Sequence, residues 1–360
     1  VEDIDLATIF TPEQVIEKAN AANIKSIPTG IDHGTVTLIV DDKNFEVTTL
    51  REDVTTDGRH AVVRFGTNWL EDAKRRDFTI NALYVHKDGK IDDPLGTGFK
   101  DIETRNIRFI GKPEDRIRED YLRSLRFYRF AAWYGAPPYD QSAIDATIRL
   151  RAGLAGLSSE RIRAELIKLF SSPDPTSILR TLYQWGLLVN LLATVPNIIP
   201  VLKLIEIEKN LNQKPDPALR LALMATWSRA DVNRLIKRFR LSNKESSVLN
   251  LKLTAKNFPV PEDHLSQLKW LYQHGKNDYL SMLKLAWSLS IEATDDVRWQ
   301  ELFRNAKENE LPDFPVNGED LINKGLSPGP ELGDAIKVLE ELWLESEMVL
   351  TKEELLNHHR

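Results

Sequence analysis

The chain has 360 residues, of which 42% are hydrophobic and 28% charged, and its formal net charge is −6. This composition is typical of a globular protein, and a length of ~100–200 residues per domain predicts two to four domains. The lack of cysteine excludes disulfides, zinc–thiolate sites and a cysteine nucleophile. The negative charge argues against a protein that coats nucleic acid without specificity. No apolar run approaches the ~18–20 residues of a membrane span, and no signal peptide is visible, so we expect a cytoplasmic protein with no membrane partner.

The first predicted element is a strand that carries two aspartates. Apolar residues alternate over residues 1–7, and side chains at i and i+2 of a strand point to the same side. Asp3 and Asp5 would therefore converge on one point. Proteins usually bind Mg²⁺ through one or two carboxylates plus substrate phosphates, which suits such a pair. For so short a motif, a solvated turn is the alternative.

The next predicted elements are a helix and a β-hairpin. Thr11 and Pro12 begin a helix that runs to about Ala22. Two β-branched runs, residues 36–40 and 45–50, form a hairpin. If its second strand lies beside the first strand, Glu46 adds a third carboxylate and completes a two-metal site for phosphoryl displacement. The alternative for Glu46 is an ordinary exposed strand residue.

An arginine-rich segment follows. Arg75 and Arg76 precede a short predicted helix, and guanidinium groups can bind phosphate oxygens through two parallel hydrogen bonds. Asp77 and Asn81 are one turn apart and could accept ribose hydroxyls. A helix N-cap role is the alternative for Asp77. A second hairpin is predicted from residues 82–85 and 91–93.

Helical patterns dominate after Asp101, and arginines crowd residues 105–129. Asp120 and Arg123, at i and i+3 of a predicted helix, can present an acceptor beside a donor. Cytosine and adenine offer the matching amino donor beside a ring acceptor, whereas guanine and uracil offer the reverse order. Each buried hydrogen-bond mismatch costs ~1–3 kcal/mol of binding free energy. Arg126 and Arg129 continue the same face and could reach sugar or phosphates. A lattice of surface ion pairs is the alternative.

These motifs together resemble one enzyme family. The chain is similar to class II tRNA nucleotidyltransferases, the CCA-adding enzymes, whose sister group is the bacterial poly(A) polymerases. The similarity is specific through about residue 170. It is carried by residues 3–8 (DIDLAT), 30–35 (GIDHGT), 45–51 (FEVTTLR), 75–83 (RRDFTINAL), 93–96 (DPLG), 119–123 (EDYLR) and 161–166 (RIRAEL).

The resemblance implies an α+β fold. A mixed-sheet head of the nucleotidyltransferase (polymerase-beta-like) type spans residues 1–114, and an all-α neck, body and tail span residues 115–172, 173–265 and 266–360. It also implies that Asp3 and Asp5 bind Mg²⁺, that the Arg75–Asp77 segment holds the nucleotide, and that Asp120 and Arg123 select CTP or ATP without a template. The substrates would be CTP, ATP and the tRNA 3′ end.

Two further expectations come from the same resemblance. Residues 51–71, with Asp57, Gly58, Arg59 and His60 at the tip, resemble the mobile loop used in switching from C to A. The family also carries a glycine-pair strand just before the metal aspartates. This chain begins at Val1 without it, so we expect that strand to lie upstream.

Three functions compete at this stage. The first is CCA addition, and the second is a poly(A) polymerase or A-only enzyme with the same core. The third, a catalytically silent RNA-binding protein, is disfavoured because the required acids and bases are present. A polymerase acting on many RNAs needs a broad basic surface, whereas the C-terminal third is rich in acids, so CCA addition comes first.

Overall fold

The computed structural model describes residues 4–57 and 60–358, with the side chains of residues 53–63 left out. These residues divide into two compact units, residues 1–193 and 194–360. The first contains a mixed sheet followed by helices and the second is helical, which confirms the predicted α+β class. The finer head, neck, body and tail boundaries stay predictions. Within the described part of the chain, no helix is both long and apolar enough to cross a membrane.

A four-stranded sheet opens the first unit, in the order β1 (Asp5–Thr8), β4 (Lys43–Thr49), β3 (Thr35–Val40) and β2 (Lys25–Gly30). β1 runs parallel to β4, and the other neighbours are antiparallel. The β3–β4 hairpin is confirmed. Its two turn residues, Asp41 and Asp42, have φ of 49° and 59°, the left-handed values that a tight two-residue hairpin requires.

One face of this sheet is covered by helix α1 (Pro12–Ala21). The helix begins as predicted, because Thr11 and Gln14 form a reciprocal capping box. Its Val15 packs with Val36 and Val47 of the sheet. Since side chains alternate along a strand, Glu46 lies on the other face.

Two short strand pairs and two short helices follow the sheet in the chain. β5 (Arg51–Asp57) pairs with β6 (His60–Phe65), and β7 (Tyr84–Val85) pairs with β8 (Ile91–Asp92). Residues 51–57 and 60–65 are therefore two paired antiparallel strands, within the segment 51–71 where the sequence suggested a mobile loop. The helices here are α2 (Trp69–Lys74) and α3 (Gly98–Glu103).

Helices make up the rest of the chain. Those of the first unit are α4 (Pro113–Glu119), α5 (Leu122–Tyr134), α6 (Gln141–Arg149), α7 (Ser159–Phe170), α8 (Thr176–Gln184) and α9 (Leu187–Leu192). Those of the second unit are α10 (Ile198–Asn210), α11 (Pro217–Ala225), α12 (Arg229–Phe239), α13 (Asn243–Ala255), α14 (His264–His274), α15 (Lys276–Leu289), α16 (Val297–Glu308), α17 (Gly318–Asn323), α18 (Pro330–Glu345) and α19 (Lys352–His358).

Candidate active site

Two carboxylates meet on the face of the sheet away from α1. Asp5 of β1 lies in register with Glu46 of β4, and both side chains are exposed. Residues opposite each other on neighbouring strands share a face and stand about 5 Å apart. The predicted neighbourhood of Glu46 and the first strand is therefore confirmed for Asp5. Asp3 lies outside the described residues.

The donor chemistry at this edge fits a hard divalent cation. Both Asp5 and Glu46 offer only oxygen ligands, which Mg²⁺ prefers, and both are open to substrate phosphates and water. Within residues 4–57 and 60–358 there is no group of three or more His, Cys, Asp or Glu side chains that could hold a metal. A metal at this edge would depend on these two carboxylates, on substrate oxygens and on any contribution from Asp3.

The same face of the sheet supports the arginine-rich segment. Ala7, two residues after Asp5 and so on the same face, packs against the cluster of Ala73, Ala82 and Tyr84. These three residues flank residues 75–81 in the chain. Asp5, Glu46 and the segment expected to bind phosphates therefore lie on the same side of the sheet.

Asp72, which the sequence analysis did not single out, anchors both arginines. Its carboxylate is 2% exposed and accepts hydrogen bonds from Arg75 Nε at 2.9 Å and from Arg76 Nη2 at 3.2 Å. The Tyr84 hydroxyl donates a third, at 2.6 Å. Burial alone would raise the pKa of Asp72, but the Arg75 charge, the Tyr84 hydrogen bond and the Arg76 charge together lower it. Burial and the bond to Asp72 raise the pKa of Tyr84 to about 12.

We expect Asp72→Asn to destabilise the chain by about 2 kcal/mol, the order of a lost charged hydrogen bond in a partly buried site. A carboxylate with a lowered pKa adds stability that is present above its ordinary value of 3.8 and is lost as pH falls through the folded value. Thermal unfolding from pH 6 to pH 2.5 should therefore show a shallower acid loss in Asp72→Asn than in wild type. The exposed Asp88→Asn variant is the control, and equal acid slopes in Asp72→Asn and wild type would contradict this role.

Asp77 and Asn81 are brought together as predicted. Asn81 Nδ2 donates to Asp77 Oδ1 at 2.9 Å, and the Phe78 backbone N–H donates to the same oxygen at 2.9 Å. Asp77 is not a helix N-cap, because the short 3₁₀ helix here, Thr79–Asn81, begins after Phe78. Arg76 also reaches this turn, donating from Nη1 to the Asn81 carbonyl at 3.1 Å.

Arg126 and Arg129 of α5 are held by carboxylates. Arg126 Nε donates to Asp77 Oδ2 at 2.6 Å, and Arg129 Nε lies 2.7 Å from Glu165 Oε2. Glu165, on α7, also lies 4.0 Å from Arg126. Burial would raise the pKa of Asp77, but the Arg126 charge and the hydrogen bonds from Asn81, Arg126 and Phe78 lower it. Both arginines remain near the segment predicted to bind the nucleotide, and part of the charge of each is balanced by these carboxylates.

The placement of Asp120 differs from the prediction of one continuous helix. Asp120 has extended backbone angles and lies between α4 and α5, whereas Arg123 is in the first turn of α5. Asp120 Oδ1 accepts from the Leu122 backbone N–H at 3.1 Å, and Oδ2 accepts from Arg161 at 2.6 Å. Arg123 pairs with Glu119. The ion pairs of the alternative interpretation are present, but they join Asp120 and Arg123 to other residues and not to each other.

Arg116 links this region to the arginine-rich segment. Its guanidinium donates to the backbone carbonyls of Arg76 at 2.5 Å and Lys74 at 3.2 Å. Arg123 in turn donates to the Arg116 carbonyl at 3.1 Å. One side chain thus connects Arg123, predicted to read the base, with Arg76, predicted to bind phosphates, and the sequence had suggested this side chain only as a member of a basic cluster.

The predicted loop tip is only partly described. Asp57 and His60 pair at the end of the β5–β6 hairpin. Gly58 and Arg59, and the side chains of Asp57 and His60, lie outside the described residues. At the base of the hairpin, Arg64 donates to Glu52 at 2.6 Å, and the Gly66 N–H donates to the Leu50 carbonyl at 2.8 Å.

Comparison with protein families covers most of the chain. Residues 1–108 match the family described as Poly A polymerase head domain. Residues 141–200 match a probable RNA and SrmB binding site of polymerase A, and residues 216–358 match a putative tRNA nucleotidyltransferase domain 2.

Full-length relatives give the same assignment. The mitochondrial CCA tRNA nucleotidyltransferase 1 of Danio rerio is 33% identical over 99% of this chain and 82% of its own length, and that of Homo sapiens is 34% identical over the same shares. A CCA-adding enzyme of Lactobacillus delbrueckii subsp. bulgaricus is 32% identical, over 94% of this chain and 83% of the relative.

Solved structures agree with this fold. The Bacillus stearothermophilus CCA-adding enzyme in complex with CTP superposes with a TM-score of 0.71 at 27% identity, covering 100% of this chain and 89% of that one. The Thermotoga maritima CCA-adding enzyme complexed with tRNA shares the fold, with a TM-score of 0.65 at 16% identity over 99% of this chain and 86% of that one.

Proposed function

Because this chain belongs to the family of CCA-adding tRNA nucleotidyltransferases, we propose that it adds CMP and AMP to the 3′ end of tRNA without a nucleic-acid template. In each step the terminal 3′ oxygen of the RNA forms a bond to the α-phosphorus of CTP or ATP. The bond from that phosphorus to the β-phosphate bridging oxygen breaks, pyrophosphate leaves, and the 3′ hydroxyl loses its proton.

The observation that carries this proposal is the position of Asp5 and Glu46 on the sheet face that supports residues 75–81. Carboxylates for a cation and guanidinium groups for phosphates on one side of a sheet can hold a nucleoside triphosphate beside an attacking hydroxyl. Enzymes of this family use divalent metal ions, and we propose Mg²⁺ for this chain. When bound by Asp5, Glu46 and the predicted ligand Asp3, it would supply charge stabilisation at the reacting phosphate.

The remaining site residues have separate roles in the proposal. Arg75 and Arg76, aimed by Asp72, hold the triphosphate, and Asp77 with Asn81 binds ribose hydroxyls. Arg126 and Arg129 add positive charge near the sugar and phosphates. Arg123 is linked to the arginine-rich segment through the Arg116 contacts, and Asp120 with Arg123 reads the Watson–Crick edge of the incoming base in this proposal.

The test is a nucleotide-addition assay with the purified chain. Three forms of one tRNA transcript, lacking CCA, CA or the final A, are offered each of the four nucleoside triphosphates separately and in pairs. CCA addition predicts that C is added only to the two shorter forms, A only to the last, and that growth stops at CCA. Continued A addition would identify a poly(A) polymerase. A addition to the form ending in CC, with no C addition to either shorter form, would identify an A-only enzyme.

We expect removal of the loop tip, residues 57–60, to reduce A addition more than CC addition. The segment is polar and turn-rich and resembles the part of the family used in switching from C to A. Single-turnover rates for C addition and for A addition would be compared in the shortened chain. A variant with the Glu52–Arg64 pair removed (Glu52→Gln, Arg64→Gln) controls for a general loosening of the hairpin. Equal loss of both activities after shortening would contradict the switching role.

The compartment is a separate matter. A cytoplasmic location remains our proposal from the sequence, and the Danio rerio and Homo sapiens relatives are named as mitochondrial enzymes. Fractionation of cells that express the full natural protein would decide between the two.

A further inference from the structure

The second unit contains a pocket of about 380 Å³ with a basic lining. It lies where the first turns of α11 and α13 approach the middle of α15. Three lysines line it: Lys214, Lys244 and Lys284. Lys214 and Lys244 are exposed at the rim.

Lys284 has an unusual environment for a lysine. The residue is only 8% exposed, and within the described part of the chain its ammonium group forms neither a hydrogen bond nor an ion pair, although its charge acts on the Glu208 carboxylate behind the pocket. The Lys284 Nζ atom is not fully buried, so it retains contact with solvent at the pocket. A charge removed from water is costly unless something compensates it. The apolar stem is packed in the unit while the charged end faces the pocket.

The acidic groups nearby are already occupied by other donors. Asp216 Oδ1 caps α11, accepting from the Ala218 and Leu219 N–H groups at 3.0 and 3.1 Å. Glu245 Oε2 completes the capping box of α13, whose N-cap is Ser242, by accepting from the Ser242 N–H at 2.8 Å and its hydroxyl at 2.7 Å. Capping fixes both carboxylates at helix starts. Neither forms an ion pair with the three lysines within the described part of the chain.

Behind the pocket, Glu208 is also satisfied. Its Oε2 accepts from Arg220 Nη2 at 2.6 Å, and its Oε1 accepts from the Asp216 N–H at 3.0 Å. Arg220 offsets the Glu208 charge in this nearly fully buried pair, and the Lys284 charge also acts on Glu208. Three lysines and two carboxylates engaged at helix starts line the pocket, so its lining has one net positive charge, which suits a small anion of one negative charge.

We infer that this pocket binds a phosphate group of the RNA backbone, with Lys284 as the buried cation and Lys214 and Lys244 closing over it. A phosphodiester has one negative charge and two unesterified oxygens, which match three ammonium donors at an open pocket. The inference deepens the proposed function, on which it rests, by placing a tRNA contact in the second unit. Because the contact is to the backbone, it should not depend on base sequence.

The experiment compares wild type with Lys284→Met in the full chain. Methionine keeps an unbranched stem for the packed part of the site and removes the charge. Binding of labelled tRNA lacking CCA is measured from 50 to 200 mM KCl, and inorganic phosphate is titrated separately by calorimetry. Lys284→Arg tests rescue by a retained charge, and Lys214→Met with Lys244→Met tests the rim without touching the buried position. The exposed Lys307→Met on α16 controls for the loss of one charge, and thermal unfolding checks that each variant is folded.

We expect Lys284→Met to weaken tRNA binding about tenfold, the order of one charged hydrogen bond, and to reduce the slope of log affinity against log salt by about 0.7–0.9. The rim double variant should shift both quantities in the same direction, and Lys307→Met should shift neither. Phosphate binding lost in Lys284→Met with tRNA binding unchanged would make this a site for free phosphate and overturn the RNA assignment. Unchanged tRNA affinity and slope in both the Lys284→Met and rim variants would overturn it as well.

The outcome is separable from that of the proposed function. In the proposed function, nucleotide addition at saturating tRNA depends on the first unit. If wild type adds C and A but Lys284→Met binds tRNA as tightly as wild type, only the pocket proposal is rejected. Wild type that adds no nucleotide rejects the proposed function itself.

Discussion

Replacing Asp5 by alanine is expected to reduce both C addition and A addition more than about a hundredfold while tRNA affinity stays within about twofold of wild type. Asp5 lies in register with Glu46 on the exposed face of the sheet, where a cation would neutralise charge that develops during the reaction. Groups that act in this way lower the barrier without contributing to RNA affinity. Asp3→Ala is expected to behave similarly.

The measurement is a single-turnover rate with saturating CTP or ATP, together with a tRNA binding curve. Glu17→Ala, an exposed acid on α1 on the other side of the sheet, is the matched control and should keep full activity. If Asp5→Ala keeps more than about a tenth of the activity, a barrier change of only ~1.4 kcal/mol, the metal assignment is wrong. A parallel loss of tRNA affinity would instead indicate damage to the fold.

Asp120→Ala is expected to relax base selection as well as slow addition. A carboxylate can accept a hydrogen bond from the amino group of cytosine or adenine, and it repels the carbonyl oxygen at the same place in uracil or guanine. Without it, misincorporation of UMP and GMP relative to CMP and AMP should rise about tenfold or more, which corresponds to ~1–3 kcal/mol of lost discrimination. Arg123→Ala should mainly slow addition.

The structure supplies a sharp control for this prediction. Asp120 pairs with Arg161 at 2.6 Å, so a purely structural role for Asp120 would act through that pair. Arg161→Ala breaks the same pair but leaves the carboxylate in place. Relaxed selection in Asp120→Ala with normal selection in Arg161→Ala supports base reading. Equal selection in wild type and Asp120→Ala would place base choice elsewhere.

Local features of the fold followed from local sequence signals. Thr11 with Pro12 predicted the start of α1, and two β-branched runs predicted the β3–β4 hairpin. The same alternation placed Glu46 on the face opposite Val47, and the parallel pairing with β1 confirmed its neighbourhood with Asp5. These signals depend on contacts within a few residues or on a period of two, both of which can be observed in one sequence.

The errors and omissions concern contacts between distant parts of the chain. The break at Asp120 carries no proline or glycine, and residues 119–123 have the composition of a helix, so the end of α4 was missed. Glu165 holds Arg129 from a helix about 36 residues away in sequence, and no local pattern indicates that pairing. Asp72 could have been found, because its spacing of three and four residues from Arg75 and Arg76 is that of a helical ion pair.

The bond between Asp77 and Arg126 joins the segment expected to hold the sugar to α5, which also carries Arg123, one of the two residues proposed to read the base. Both Asp77 oxygens are engaged, one by Asn81 and Phe78 and the other by Arg126. A ribose hydroxyl that donates to Asp77 must therefore share Oδ2 with Arg126 or displace an existing donor. Displacement of Arg126 frees a cation on α5, whose first turn holds Arg123. Recognition of the sugar and recognition of the base are then energetically coupled. A substitution on α5 that never touches the ribose should still change how tightly the enzyme distinguishes a ribonucleotide from its deoxy counterpart.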